Sequence, residues 1–205
     1  MVEDFLRQSP LSHLGLAARA RPERAGEHGV GLAEHPYRTL VTLRGRAEEA
    51  GLAAAVERVS GLSLPRRVGE TAGDPQARQL LCLGPDEWWL TDAAESAADL
   101  VQALDEATAD LFAQVVDTSD NWFALALSGP RARDLLAKGC PIDLHPRVFG
   151  PGRCAQSVLS KAAMVLQQLD EIPIFRIYVR RSFADYTWRW LEDASREYGM
   201  TVLQS

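Results

Sequence analysis

Residues of the types that commonly act in catalysis or bind metals are few in this 205-residue chain, and their spacing matches no common catalytic or metal-binding pattern. Three of the four histidines, His13, His28 and His35, lie within the first 36 residues, and His145 stands in a proline-flanked loop. None belongs to a His-Glu-x-x-His or comparable pair of zinc ligands. There is also no nucleophile elbow, P-loop or dinucleotide fingerprint. We therefore predict no catalytic, cofactor-binding or metal-binding residue in this chain.

Two acidic residues are the first candidates for holding a small ligand. Asp117 and Asp120 flank a Thr-Ser pair in the string DTSD. One interpretation is an acidic binding site. The alternative is a turn between strands, because Asp and Ser side chains readily bond to their own backbone.

A second candidate is the start of a predicted helix in the string SGPRA. Ser128 would be the N-cap and Pro130 would lie near the first helical position. Free amides at a helix N-terminus can bind an anion. A well-capped helix start explains the same residues without a ligand, so both interpretations stay open.

Charge and cysteine content exclude several classes of protein. The formal net charge is -6, whereas nucleic-acid binding usually needs a basic surplus. The cysteines, Cys82, Cys140 and Cys154, are odd in number and far apart, so we expect buried free thiols, with a reactive thiol as the alternative. No apolar run reaches the roughly 18 residues of a membrane helix, and the first residues do not form a secretory signal. We expect a cytoplasmic protein without nucleic-acid or membrane partners.

Hydrophobic periodicity predicts the elements that must position these residues. Residues 37–45 are strand-like, 46–61 helical, 78–91 a hairpin and 93–114 helical, and a similar order of elements follows from 115 to 200. The two stretches predict pseudo-repeated halves, 37–114 and 115–200, each a ferredoxin-like β-α-β-β-α-β unit within one α+β domain over 37–205. Residues 1–36 show little periodicity and are predicted to form an extended N-terminal arm.

The closing helix carries the predicted partner surface. Residues 179–195 read VRRSFADYTWRWLEDAS, with Ser182 as the expected N-cap. A helical projection places Phe183, Tyr186 and Trp190 on one apolar face and leaves Trp188 off that face. Because Trp and Arg often anchor interfaces, we predict a partner interface on and near this helix. Its residues are Trp188, Arg180, Arg181, Arg189 and Arg131. A contact between the two halves of the chain is the alternative for Trp188.

Three strings resemble one protein family. They are ARQLLCLGPDEWWLT, VVDTSDNWFALALSGPRARDLLAKGCPIDLHPRVFGPG and FRIYVRRSFADYTWRWLEDASREYG, and they are similar to the gamma subunit of heterotetrameric sarcosine oxidase. The most specific pieces are KGCPIDLHP and RSFADYTWRWLEDA. A looser strand-glycine-proline-helix pattern resembles the aminomethyltransferase (T-protein) of the glycine cleavage system. The resemblance implies a fold like the T-protein N-terminal domain.

The resemblance also implies a function. The family's enzyme oxidatively demethylates sarcosine to glycine, linked to tetrahydrofolate as co-substrate. FAD, FMN, NAD and zinc are carried by the other subunits, alpha, beta and delta. The gamma subunit has no cofactor of its own and packs on the alpha subunit, so the isolated chain is expected to be inactive.

The alternative is a free-standing tetrahydrofolate-binding or aminomethyltransferase-like protein. Asp117 and Asp120 would then be the candidates for holding the pterin ring. The segment SKAAMVLQQLDEIPIF lacks the Gly-Glu pair that the T-protein has between its central strands, which argues against this alternative.

Overall fold

The computed structural model describes residues 8–22, 29–35, 37–93 and 96–204. Within these ranges the chain forms five α-helices and eleven β-strands. In chain order they are α1 (Leu16–Arg19), β1 (Val30–Glu34), β2 (Thr39–Gly45), α2 (Ala50–Ser60), β3 (Thr71–Gly73), β4 (Arg78–Gly84), β5 (Glu87–Asp92), α3 (Ala97–Thr108), β6 (Ala113–Asp117), β7 (Trp122–Ser128), α4 (Ala132–Ala137), β8 (Cys154–Leu159), β9 (Ala162–Gln168), β10 (Phe175–Arg180), α5 (Ala184–Ala194) and β11 (Met200–Val202). The predicted α+β class is confirmed.

The first half is a five-stranded sheet whose order is β3-β4-β5-β2-β6, with all neighbours antiparallel. Apart from the short β3, this is a ferredoxin-like β-α-β-β-α-β unit. Helices α2 and α3 cover one face, where Leu52, Val56, Leu100 and Leu104 are buried against the strands. The helix α3 begins at Ala97 rather than at the predicted residue 93, because the Ser96 side chain caps it by accepting a hydrogen bond from the amide of Asp99 at 3.2 Å.

The second half is a six-stranded sheet whose order is β11-β1-β7-β10-β9-β8. Only the β1–β11 pair is parallel. Helices α4 and α5 cover its outer face, together with the buried Leu11 and Leu16 of the N-terminal segment. The strand β7 occupies the place in this sheet that β2 occupies in the first sheet.

The two sheets pack through their inner faces. Buried side chains from both sheets form this layer: Leu40, Leu81, Leu83, Trp89, Cys154, Val165 and Tyr178. Two glutamines also meet there, since Gln79 and Gln167 exchange hydrogen bonds through their side-chain amides at 3.1 and 2.7 Å. Because each amide satisfies the other, the pair can be buried at little cost.

The structure corrects two predictions about boundaries. Val30–Glu34, placed in the N-terminal arm, is the strand β1, and it fills the fourth-strand position beside β7. Val30 and Leu32 are fully buried in the core under the outer helices, and they share that face because alternate residues of a strand point to the same side. In addition, β6 crosses the predicted boundary at residue 114 and pairs with β2, so the first half extends to Asp117.

Candidate functional site

Trp188, the central residue of the predicted partner interface, is a core residue. Its side chain is 0% exposed and lies in the cluster between the six-stranded sheet and the outer helices. The buried face of α5 is formed by Ala184, Thr187, Trp188 and Leu191, which follow helical spacing. The small Ala184 and Thr187 leave space for the indole. The prediction was wrong because it took Phe183 as the centre of the apolar face.

The start of α5 explains that error. Arg181–Phe183 form a 3₁₀ turn, the helix begins at Ala184, and Ser182 makes no capping hydrogen bond. A 3₁₀ turn rotates its side chains differently from an α-helix, so the angular position of Phe183 was misjudged. Phe183 was predicted as a core or core-edge residue at the centre of the apolar face, but it is 40% exposed. Tyr186 and Trp190 are half-buried, at the edge of the core.

Arg180 ends β10, and Arg181, which follows it, lines a cavity. The guanidinium of Arg180 lies 4.2 Å from the ring centroid of Trp122, a cation–π contact. Arg181 donates a hydrogen bond to the carbonyl oxygen of Gln8. Both arginines are exposed, so the structure leaves them accessible to another chain.

Arg189 and Arg131 are engaged elsewhere on the surface. Arg189 pairs with Asp185 at 2.8 Å, and His13 bonds to the same carboxylate at 2.7 Å. The hydrogen bonds from Arg189 and then His13 hold the pKa of Asp185 below its usual range. Arg131 pairs with Asp134 at 3.1 Å. The structure therefore gives these two arginines intramolecular partners and does not unite them with Arg180 and Arg181.

The helix start at SGPRA is a closed turn. The helix α4 begins at Ala132, and no side chain caps it, so Ser128 is not the N-cap. The amides of Arg131 and Ala132 donate to the carbonyl oxygens of Gly29 and Gly129, each at 3.0 Å. Gly129 is required there, because a Cβ atom would lie 2.7 Å from the carbonyl oxygen of Gly29. The chain itself thus uses the amides that an anion would need.

The cavity has a volume of about 310 Å³ and lies near the junction of the two sheets. It is lined by residues from the β1–β2 connection, the start of β7, the end of β10 and the N-terminal segment. The aromatic lining residues are Tyr37, Trp122, Phe123 and Tyr178, and the charged or titratable ones are Glu34, His35, Arg38, Asp120 and Arg181. A concave site with apolar walls and a few polar groups is the usual form of a small-molecule site.

The two candidate carboxylates have separate roles. Asp120 lines the cavity. Asp117 instead accepts hydrogen bonds from the amide of Ser119 at 2.9 Å and from its hydroxyl at 2.6 Å. The turn interpretation therefore holds for Asp117, and only Asp120 is placed to contact a ligand.

A buried arginine next to the cavity holds one of its lining residues, His35, in place. Arg176 is 0% exposed and hydrogen-bonds the imidazole Nε2 of His35 at 2.7 Å. Because arginine only donates, this nitrogen accepts, and the His35 proton sits on Nδ1. Arg176 and Arg38 both donate to the carbonyl oxygen of Pro75 at 2.8 Å. Burial, and then the neighbouring Arg176 charge, lower the pKa of Arg38.

Sequence reasoning missed most of these lining residues. The string EHPYR supplies Glu34, His35, Tyr37 and Arg38, and its density of polar and aromatic residues was the available indication. Of the remaining histidines, His145 accepts a hydrogen bond from the amide of Arg147 at 3.2 Å, and His28 lies outside the described residues.

The cysteines are buried free thiols, as predicted. Burial raises the pKa of Cys154 to about 12 and also raises that of Cys82. Because the thiolate is the reactive form, both thiols are poor nucleophiles. No helix within the described ranges is long and apolar enough to cross a membrane.

The fold is shared with a known class of enzyme. The aminomethyltransferase T of the glycine cleavage system from Bartonella henselae superposes with a TM-score of 0.68 at 16% identity, covering 97% of this chain and 59% of that one. At this identity the likeness establishes the fold alone. The chain is a T-protein-like α+β protein, as predicted.

The particular family follows from closer matches. Residues 44–197 match the model of the Sarcosine oxidase, gamma subunit family. The sarcosine oxidase subunit gamma of Corynebacterium sp. (strain U-96) is 42% identical over 196 residues, covering 94% of this chain and 92% of that protein. A chain of the heterotetrameric sarcosine oxidase from Corynebacterium sp. U-96, solved in complex with pyrrole 2-carboxylate, gives a TM-score of 0.84 at 40% identity over 94% of this chain and 96% of that one. The chain belongs to the sarcosine oxidase gamma subunit family, which confirms the resemblance and favours the subunit over the free-standing folate protein.

Proposed function

We propose that this chain is the non-catalytic gamma subunit of a heterotetrameric sarcosine oxidase. The observation that carries the proposal is the combination of 42% identity across 94% of the chain with a TM-score of 0.84 to a chain of such an oxidase. The complex would oxidatively demethylate sarcosine to glycine with tetrahydrofolate as co-substrate. The alpha, beta and delta subunits would carry FAD, FMN, NAD and zinc.

The structure supports a stabilising role rather than a chemical one. Cys82 and Cys154 are held as protonated thiols by burial, His35 is fixed by Arg176, and Asp117 is occupied by its own turn. These groups maintain the two-sheet framework on which a partner can rest. The proposed partner is the alpha subunit.

The interface we propose begins at the end of β10. Arg180 is exposed and lies against Trp122, and Phe183 presents a 40% exposed ring two residues beyond Arg181. An arginine over an indole beside an exposed aromatic ring is a combination typical of interface anchors. Arg189 and Arg131 are proposed as peripheral contacts, since both side chains remain exposed although they pair with Asp185 and Asp134.

A pull-down of the tagged chain from its native cell extract tests this function. The expected result is recovery of larger partner subunits with flavin absorbance and sarcosine oxidase activity. The chain purified alone should be colourless and should not turn over sarcosine. Sarcosine turnover by the isolated chain, or recovery of the chain without flavin-bearing partners, would contradict the proposal.

A further inference from the structure

The outer side of β6 is an open sheet edge. This strand is the last of the five-stranded sheet and pairs with β2 on its inner side only, within the ranges that the structure describes. Proteins usually protect such edges with proline, lysine or a bulge, because exposed backbone groups can pair with another strand. The sequence of β6, AQVVD, contains neither residue, and its register with β2 has no bulge.

The other edges of the two sheets are engaged by the chain itself. The amide of Thr71 in β3 donates to the carbonyl oxygen of Gly152 at 3.1 Å. The amide of Cys154, at the start of β8, donates to the loop before β3 at 2.9 Å. On β11, the carbonyl oxygen of Val202 accepts from the amide of Arg21 at 2.8 Å. Within the described part of the chain, β6 is therefore the edge that stands open.

Alternate residues of β6 direct their backbone groups outward. The amide of Thr118, directly after β6, donates to β2 at 2.9 Å, and every second residue of an antiparallel strand bonds to the same neighbour. The even-numbered residues of β6 therefore bond to β2, whereas Val115 and Asp117 point their amides and carbonyl oxygens outward. Ala113 adds an outward carbonyl oxygen, since its amide donates to the carbonyl oxygen of Leu111 at 2.9 Å.

The side chains along this edge are apolar in the middle and charged at the ends. Phe112, which precedes β6, is 80% exposed, and Val116 is 40% exposed on the face away from the helices α2 and α3. The guanidinium of Arg46 lies 5.8 Å from the centroid of the Phe112 ring. Asp117 is exposed at the other end of the strand. The edge is thus basic where β6 begins and acidic where it ends.

We infer that β6 pairs with β6 of a second copy of this chain, in antiparallel register about a two-fold axis beside Val115. Val115 then faces its own counterpart, and Asp117 faces Ala113 of the other copy. In this register the outward amides of Val115 and Asp117 meet outward carbonyl oxygens, which gives four hydrogen bonds across the axis. The two five-stranded sheets become one continuous antiparallel sheet.

The side chains of the edge are complementary to themselves in the same register. Val116 lies opposite Gln114 of the other copy and diagonal to its Phe112, within reach of an aromatic side chain. The acidic end of each strand, at Asp117, meets the end of the other that carries Arg46. A two-fold interface requires one patch that complements itself, and this edge meets that requirement. The occupant that the edge fits is therefore a second copy.

The pairing needs only this chain, so it is independent of the proposed function. A strand of five residues covers less than the roughly 1,200 Å² at the lower limit of standard interfaces. We therefore expect a reversible dimer with a Kd on the order of 10 µM. The surface proposed at the end of β10 remains available to the other subunits.

Sedimentation equilibrium of the full chain, from about 1 to about 300 µM, measures the self-association. A monomer–dimer equilibrium is expected. Val116→Lys places a charge in the apolar part of the edge and should weaken the dimer at least about tenfold. Val158→Lys is the matched control, since Val158 is 41% exposed on the edge strand β8. Circular dichroism checks the fold of each variant. A chain that stays monomeric throughout, or equal dimer Kd values for the two folded variants, would overturn the inference.

Disulfide trapping tests the register. The three native cysteines are buried, so a thiol introduced on the surface reports the pairing. Oxidation of an equal mixture of the Gln114→Cys and Val116→Cys variants should give mainly the mixed disulfide, because these positions face each other in a closely spaced pair. The control mixture, Gln156→Cys with Val158→Cys on β8, should cross-link much less.

Two results of these experiments would assign the edge differently. Equal cross-linking of the β6 and β8 mixtures would show collision rather than pairing. If Val116→Lys left self-association unchanged and reduced recovery of the larger subunits, the edge would belong to another subunit. Both results overturn the inference, and sedimentation of the unmodified chain decides the matter even where a variant fails to fold.

Discussion

Arg38, just before β2 of the five-stranded sheet, and Arg176, on β10 of the six-stranded sheet, donate hydrogen bonds to the same carbonyl oxygen, that of Pro75, at 2.8 Å each. Two like charges are thereby held together at the junction of the sheets. Arg176 is compensated by the Pro75 carbonyl oxygen and the imidazole of His35, and neither guanidinium hydrogen-bonds a carboxylate within the described residues. The junction therefore depends on backbone and imidazole acceptors.

Removing Arg176 should destabilise this junction. Arg176→Ala leaves the Nε2 acceptor of His35 without its donor and opens a cavity in a fully buried position. We expect a loss of about 3 kcal/mol in the free energy of unfolding. Urea denaturation measures it, with the exposed Arg180→Ala as the control. If the variant were as stable as the unmodified chain, the free energy of desolvating the buried guanidinium would equal the stabilisation from its hydrogen bonds.

The buried glutamine pair gives a second prediction. Gln79→Leu leaves the amide of Gln167 buried without its partner and should cost about 1–3 kcal/mol of unfolding free energy. Replacing both by leucine removes the unmet amide, so the double variant should be more stable than either single variant. A double-mutant cycle in urea measures the coupling. Additive losses would show that the two amides contribute independently.

The sequence predicted best those elements whose structure is determined by nearby residues. The hairpin of β4 and β5 follows from short-range apolar spacing and turn residues and lies where predicted, whereas α3 is shorter than the predicted range 93–114 and runs from Ala97 to Thr108. The strand β1 was missed because Val30–Glu34 is short and contains a glycine, and its identity depends on pairing with β7 and β11.

The cavity was harder to predict than the fold, because residues that are far apart in the sequence form it. The cavity joins Glu34 and Arg38 to Asp120, Trp122 and Tyr178. No spacing rule connects these positions, because the sheet order brings them together. Among the lining residues, Asp120 was a candidate ligand contact beforehand because of its acidic turn, and Arg181 was predicted only as a partner-interface residue.

Trp188 provides a test of the corrected core. Trp188→Ala removes the largest side chain on the buried face of α5, so we expect a loss of about 3–5 kcal/mol in unfolding free energy. Phe183→Ala, at a position that is 40% exposed, should cost less than about 1 kcal/mol. Thermal and urea denaturation distinguish the two. If Trp188→Ala left stability intact and abolished partner binding, the interface assignment would be restored.

The pH dependence of stability should contain a contribution from Asp185. Bonds from Arg189 and His13 hold the pKa of Asp185 below its usual range in the folded chain. A carboxyl with a depressed folded pKa stabilises the fold above its unfolded pKa, and this stability is lost as the pH falls through the folded pKa. Because the Asp185 side chain is 42% exposed, solvent screens the effect and the change should be small.

Asp185→Asn isolates that contribution. The variant should have a lower urea midpoint near neutral pH than the unmodified chain. Its stability should then fall less when the pH drops below the ordinary carboxyl pKa. Asp193→Asn is the matched control, since Asp193 on the same helix pairs with Arg196 at 3.1 Å and is 70% exposed. If the urea midpoint of the Asp185→Asn variant fell with decreasing pH as steeply as that of the unmodified chain, the assignment to Asp185 would be contradicted.

The proposed interface at the end of β10 gives the last prediction. Arg180→Glu reverses the charge beside Trp122 and replaces the cation–π contact with a carboxylate near the indole. We expect recovery of flavin-bearing partners to fall about tenfold, because charge reversal at an anchor residue opposes a complementary surface. The unfolding free energy should change by less than about 1 kcal/mol, since Arg180 is exposed. Arg67→Glu is the control, because that side chain is 85% exposed and its ion pair with Glu70 is long at 3.8 Å. Equal recovery from the Arg180→Glu and Arg67→Glu variants would place the partner surface elsewhere on the chain.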